Sequence, residues 1–114
     1  MPDQAKITKS ERALLRRLVT EAWNAELHDA LTDLFEDFGF WADDGMSSFE
    51  LSDKIHEFHN GIARELYGQY TNLDPSITVS RAVAFGFIDE AALGEALLRK
   101  LAPSIESFRE VQNE

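Results

Sequence analysis

The sequence predicts an all-α fold, a single-domain bundle of about five helices, and three observations predict it. Apolar residues recur every three or four positions along most of the chain, the pattern of helices with one buried side. Helix-start signals precede those runs: Thr8-Lys9-Ser10-Glu11 and Ser47-Ser48-Phe49-Glu50 have capping-box spacing, and Asp74-Pro75 pairs an N-cap with proline at the first helical position. No segment alternates apolar and polar residues long enough to make a strand, and Thr78-Val79, although β-prone, lies between helix signals. A chain of 114 residues that is 44 % hydrophobic suits one such domain, able to bury roughly 65 % of the surface its unfolded chain would expose.

The first long helix is expected over residues 9–38, opened by the Thr8 box and closed at Gly39, a glycine suited to a left-handed cap. Its apolar face changes direction. Leu14, Leu15, Leu18, Ala22 and Ala25 form one stripe, and Leu27, Ala30, Leu31, Leu34, Phe35 and Phe38 form another on nearly the opposite side. Either the helix kinks near Asn24 or it is a central helix with neighbours on two sides. Phe40 to Gly45 read as a turn. A second long helix is expected over residues 48–70. It carries Leu51, Ile55, Phe58, Ile62 and Leu66, an unbroken stripe expected at the centre of the core. Gly61 inside it costs about 1 kcal/mol relative to alanine and is read as admitting another helix at close range.

Three shorter helices complete the expectation. One runs from Asp74-Pro75 to about Phe85, stopped by Gly86. The next opens at Asp89-Glu90 and carries Leu93, Leu97, Leu98 and Leu101. Pro103 breaks or kinks it, and Ser104 caps a last short helix with Ile105, Phe108 and Val111. No repeat and no linker divides the chain, so the domain takes in residues 1–114, with 1–7 as a flexible, mildly basic arm.

Charge is unevenly distributed. From Leu18 to Asp53 there is no Lys or Arg, while Glu21, Glu26, Asp29, Asp33, Glu36, Asp37, Asp43, Asp44, Glu50 and Asp53 are all acidic. The first 17 residues instead hold Lys6, Lys9, Arg12, Arg16 and Arg17 against Asp3 and Glu11. A net charge of −10 and a pI near 4.6 argue against DNA or RNA as partner, because phosphate affinity depends on Lys and Arg. The absence of cysteine removes disulfides, a thiolate nucleophile and Cys-ligated metal sites. No run of 18 apolar residues offers a membrane span, and the first residues lack the apolar core of a signal peptide, so a cytoplasmic location is expected.

Three constellations in the sequence could carry chemistry. His56 and His59 stand three apart with Asp53 three before His56, and His28 with Glu21 lies on the first helix; converging, Glu21, His28, Asp53, His56 and His59 could hold a divalent metal. The di-iron bundle pattern needs two Glu-x-x-His motifs, and this chain has none, so boundary histidines without a metal or other cofactor are the favoured reading. Carboxylate pairs such as Asp29 with Asp33 lie along a helix face rather than in a cleft. No nucleophile elbow or phosphate loop accompanies them, so the sequence points away from an enzyme. Asp43-Asp44-Gly45 lacks the ligand spacing of a calcium loop.

The third constellation is the aromatic cluster Phe35, Phe38, Phe40, Trp41 and Phe49 at the acidic hairpin; some of these are expected in the core, while Phe40 and Trp41 lie beside a turn and, with Asp29, Asp33, Glu36, Asp37, Asp43 and Asp44, make the candidate partner-binding set. Aromatic side chains amid acids have the composition of a recognition surface for a basic protein. The sequence therefore predicts a small acidic helical binding module (an adaptor, inhibitor or regulatory subunit) docking a basic partner through residues 26–50. The alternatives are a metal-binding bundle, possibly enzymatic, built on His28, His56 and His59, and a structural homo-oligomer.

Overall fold

Thr8 opens the first helix as its spacing predicts. Its Oγ1 accepts from the Glu11 amide at 3.1 Å, and its own amide donates to Glu11 Oε1 at 2.9 Å. Ser47 and Glu50 repeat the box, and Asp74 Oδ1 caps its helix by accepting from the Ser76 amide at 2.9 Å. The computed structural model describes residues 6–112. It contains α1 (Lys9–Ala42), α2 (Ser48–Asn60), α3 (Ile62–Asn72), α4 (Pro75–Ala84) and α5 (Glu95–Gln112), with a 3-10 turn (Glu90–Leu93) ahead of α5. There is no strand among the described residues. Of the expected arm, residues 1–5 lie outside the described part. Ile7 packs partly against the core, and the Lys6 carbonyl accepts from Lys100 Nζ at 2.9 Å.

Four expected boundaries move. The helix expected to open at Asp89-Glu90 is there only a 3-10 turn over Glu90–Leu93, and α5 begins at Glu95, after Gly94 at φ 79°. Helix α1 passes through Gly39, whose absent side chain faces open space, and ends beyond it in a Schellman arrangement. The Gly45 amide bonds the Phe40 carbonyl at 2.7 Å and the Asp44 amide bonds the Trp41 carbonyl at 3.1 Å. Asp44, at φ 63°, takes the left-handed position usually held by glycine. The expected helix over 48–70 is two helices divided at Gly61. A Cβ there would lie 2.6 Å from the Glu57 carbonyl oxygen, so the glycine admits its own helix's backbone rather than a neighbouring helix. Pro103 does not end α5. Leu97, Leu101 and Ile105 on either side of it form one buried stripe, and that burial outweighs the hydrogen bond that proline cannot donate to the preceding turn.

The core also lies elsewhere than expected. Its residues are Leu15, Leu18 and Ala22 of α1, Leu66 and Tyr70 of α3, Val79, Ala82 and Val83 of α4, Ile88, Leu93, and Leu97, Leu101 and Ile105 of α5. Of the stripe expected at the centre, Leu51 and Leu66 are buried and Phe58 is half-buried, but Ile55 and Ile62 are 40 % and 38 % exposed. The reason is architectural. Helix α1, with 34 residues, is about 51 Å long at 1.5 Å per residue, in a molecule measuring 61 × 28 × 20 Å. Its first half lies on the body made by α4, α5 and the end of α3. Its second half pairs with α2 as a helical hairpin that leaves the body behind. The first apolar stripe of α1 thus lies on the body, whereas of the second only Ala30 and Leu34 face α2 and the start of α3; α1 runs as one helix from Lys9 to Ala42.

Candidate functional site

The hairpin is rooted by Glu26. Its Oε1 accepts from the Tyr70 hydroxyl at 2.7 Å and from Arg81 Nη1 at 2.9 Å, and its Oε2 accepts from Arg81 Nη2 at 3.1 Å. The Arg81 guanidinium also lies 4.6 Å over the Phe85 ring. Burial pulls the proton affinity of Arg81 down, and the Glu26 carboxylate more than restores it; burial, and then Glu26, push the Tyr70 phenol well above its ordinary value. One turn earlier, Trp23 stacks on Tyr70 at 6.0 Å and meets Tyr67 edge-on at 5.8 Å. Glu26 is therefore a clasp between α1, α3 and α4, and it is the one acid of the run from Leu18 to Asp53 that forms an ion pair among the described residues.

Beyond the clasp, α1 has only α2 and the start of α3 beside it. Ala30, Leu34 and Asp37 border a groove whose other wall is Lys54, Glu57, Phe58 and Ile62. On another side of α1, Leu31, Phe35 and Phe38 follow one another at intervals of four and three residues. Phe35 is 76 % exposed, and Leu31 and Phe38 also stand open. At ~100° per residue Asp29, Asp33 and Glu36 fall on the far side of α1 from this strip, as a separate acidic ridge. At the tip Phe40, Trp41 and Phe49 are exposed beside Asp43 and Asp44, with Phe49 at 85 %. Trp41 is held in place: its Nε1 donates to Ser48 Oγ at 2.9 Å, and Phe38 meets it edge-on at 6.4 Å.

The structure thus places Asp29, Asp33, Glu36, Asp37, Phe40, Trp41, Asp43 and Asp44 together on the hairpin. All are exposed except Asp37, which is half-buried in the groove. Phe35, Phe38 and Phe49 of the aromatic cluster are exposed like Phe40 and Trp41 rather than in the core, and Leu31 of the second apolar stripe, which sequence reasoning did not place at the site, stands open beside them. The available signal was the second apolar stripe of α1, wider than one short neighbour can cover. The end of α1 at Ala42 also sets Asp43 and Asp44 at the helix C-terminus, where negative charge is unfavourable.

The metal candidates do not converge. Glu21, His28, Asp53, His56 and His59 are all exposed, and no group of three potential ligands could hold an ion among the described residues. A cleft at the start of α4 is lined by Ile7, Arg12, Leu15, Arg16, Asp74, Pro75 and Ser76. Asp74 already occupies that helix terminus, its carboxyl held below the usual range by the Ser76 hydroxyl and amide. No helix among the described residues is long and apolar enough to cross a membrane. No known protein family, characterised protein or solved structure matches the chain.

Proposed function

We propose that this chain is a small acidic helical binding module whose projecting hairpin docks a basic protein surface. The supporting observation is the set of large apolar side chains (Leu31, Phe35, Phe38, Phe40, Trp41 and Phe49) left exposed on a hairpin whose acids beyond Glu26 have no cationic partner among the described residues. Contiguous exposed apolar surface marks interaction sites, and aromatic anchors carry most of the energy of an interface. The acidic ridge supplies long-range attraction and disfavours acidic partners.

The test is capture from native extract with the parent chain, an Asp33→Lys/Asp37→Lys variant and a Phe35→Ser variant. The same partner, identified by mass spectrometry, is then titrated against each at low and high salt. The charge variant is expected to bind more slowly at low salt, with the difference shrinking as salt rises. Phe35→Ser is expected to lose affinity at both. Equal binding by all three would remove the hairpin from the mechanism.

A further inference from the structure

Two helices cover only the sides they turn to each other, and one flank of the hairpin, between α1 and α2, is left as an open groove of about 370 Å³. Its apolar residues are incompletely covered. Ala30, Leu34 and Phe58 are half-buried, and Ile62 at the start of α3 is 38 % exposed. Its charged residues are three acids, Asp33 and Asp37 on α1 and Glu57 on α2, against the single cation Lys54. None of these four forms a salt bridge among the described residues. Acids and apolar residues therefore line the same groove. The strip of Leu31, Phe35 and Phe38 differs in this respect, because the acidic ridge lies across α1 from it.

We infer that this groove takes a basic amphipathic helix of a partner protein, its apolar side on Leu34, Phe58 and Ile62 and its Lys or Arg side chains on Asp33, Asp37 and Glu57. This rests on the reading of the hairpin as a docking surface for a basic protein, and names the element that docks. Charge complementarity selects the sign: three acids against one lysine attract cations and repel an acidic helix. Backbone chemistry selects the helix. An extended segment needs a sheet edge to pair its amides and carbonyls, and there is no strand among the described residues, whereas a helix satisfies its own backbone. Spacing sets the pattern. Asp33 and Asp37 lie about 6 Å apart along α1, so cations four residues apart on the incoming helix meet both. From Ala30 to Asp37 the groove runs about 10 Å, two turns of such a helix. A second copy of the chain does not offer this element, because its basic stretch, Lys9 to Arg17, turns Leu15 and the adjoining Leu18 into its own core.

The probe is a synthetic helical peptide with leucine along one side and lysine along the other, titrated into the isotope-labelled full chain and followed by amide NMR. The controls are a peptide of the same composition with no apolar side, and an analogue with glutamate in place of lysine. The largest shifts are expected at Asp33 to Asp37 of α1 and Lys54 to Phe58 of α2, with neither control competing. Asp37→Asn/Glu57→Gln is expected to weaken binding about tenfold at low salt and by less at high salt. Lys54→Glu removes the one cation of the groove and is expected to tighten binding about threefold, a gain that a misfolded chain would not show. Arg64→Glu makes the same change in charge outside the groove and is expected to alter binding little. Equal tightening by Lys54→Glu and Arg64→Glu would overturn the inference, as would equal binding of the peptide with no apolar side. So would shifts confined to Leu31, Phe35 and Phe38, or a chain dimeric through the groove that the peptide does not displace. If the peptide leaves the groove untouched while Phe35→Ser still loses a basic partner, the inference falls and the docking reading stands; if neither binds, both fall.

Discussion

Replacing Glu26 by alanine tests the root of the hairpin. The substitution leaves the Arg81 guanidinium, whose side chain is only 19 % exposed, without its carboxylate, and the Tyr70 hydroxyl without its acceptor. Breaking a buried ion pair by removing one member costs about 3–5 kcal/mol. Because Arg81 keeps some access to water, we expect the lower end, about 3 kcal/mol. Urea unfolding is the assay. With a slope of about 2 kcal/mol per molar, the midpoint should fall by about 1.5 M. Tyr70→Phe removes one hydrogen bond to a charged acceptor and should cost about 1.5–3 kcal/mol. A Glu26→Leu/Arg81→Met double variant replaces the pair with apolar groups of similar volume and should be more stable than Glu26→Ala. A Glu26→Ala midpoint within error of the parent would refute the clasp, as would a double variant no better than the single one.

Further outcomes follow from the helix ends and from the buried phenol. Asp44→Gly relieves a left-handed aspartate at a helix C-terminus, and a stability gain of about 1 kcal/mol is expected in thermal unfolding. Gly61→Ala drives a Cβ against the Glu57 carbonyl and should cost about 1–3 kcal/mol, read by urea midpoint. Tyr70 has a raised pKa in the folded chain, so above about pH 10 the unfolded chain releases a proton that the native chain keeps. Stability should therefore fall as pH rises through that range, and Tyr70→Phe should flatten the fall in urea midpoints measured across it.

The helix starts were legible because their signals are local. Thr8 with Glu11, Ser47 with Glu50, and Asp74 before Pro75 each satisfy amides within one turn. The helix ends were less so. Gly39 resembles a stop, yet the helix continues and Asp44, a less common choice, holds the left-handed position. Pro103 resembles a break, but the burial of Leu97, Leu101 and Ile105 is a tertiary effect that no local rule contains. The acids and Trp41 of the hairpin could be read directly from composition. The exposure of the strip of Leu31, Phe35 and Phe38 could not, because helical periodicity reports that a face is apolar and not whether the same chain covers it. Ile55 and Ile62 were assigned to the core for the same reason, and the structure leaves them partly exposed on the hairpin. The Glu26 clasp joins residues 44 and 55 positions apart and left no sequence signal beyond one more acid in an acidic run.

The central claim is that the hairpin is a surface for a partner while the body stands by itself, and amide hydrogen exchange tests it most directly. Exchange is compared between the dilute chain and the same chain in the complex recovered from native extract. Amides of α1 beyond Leu27 and of α2 should exchange faster than those of α4 and α5 in the dilute chain, and should slow on association while α4 and α5 stay unchanged. Protection gained in α4 and α5, with the hairpin unaffected, would contradict the account.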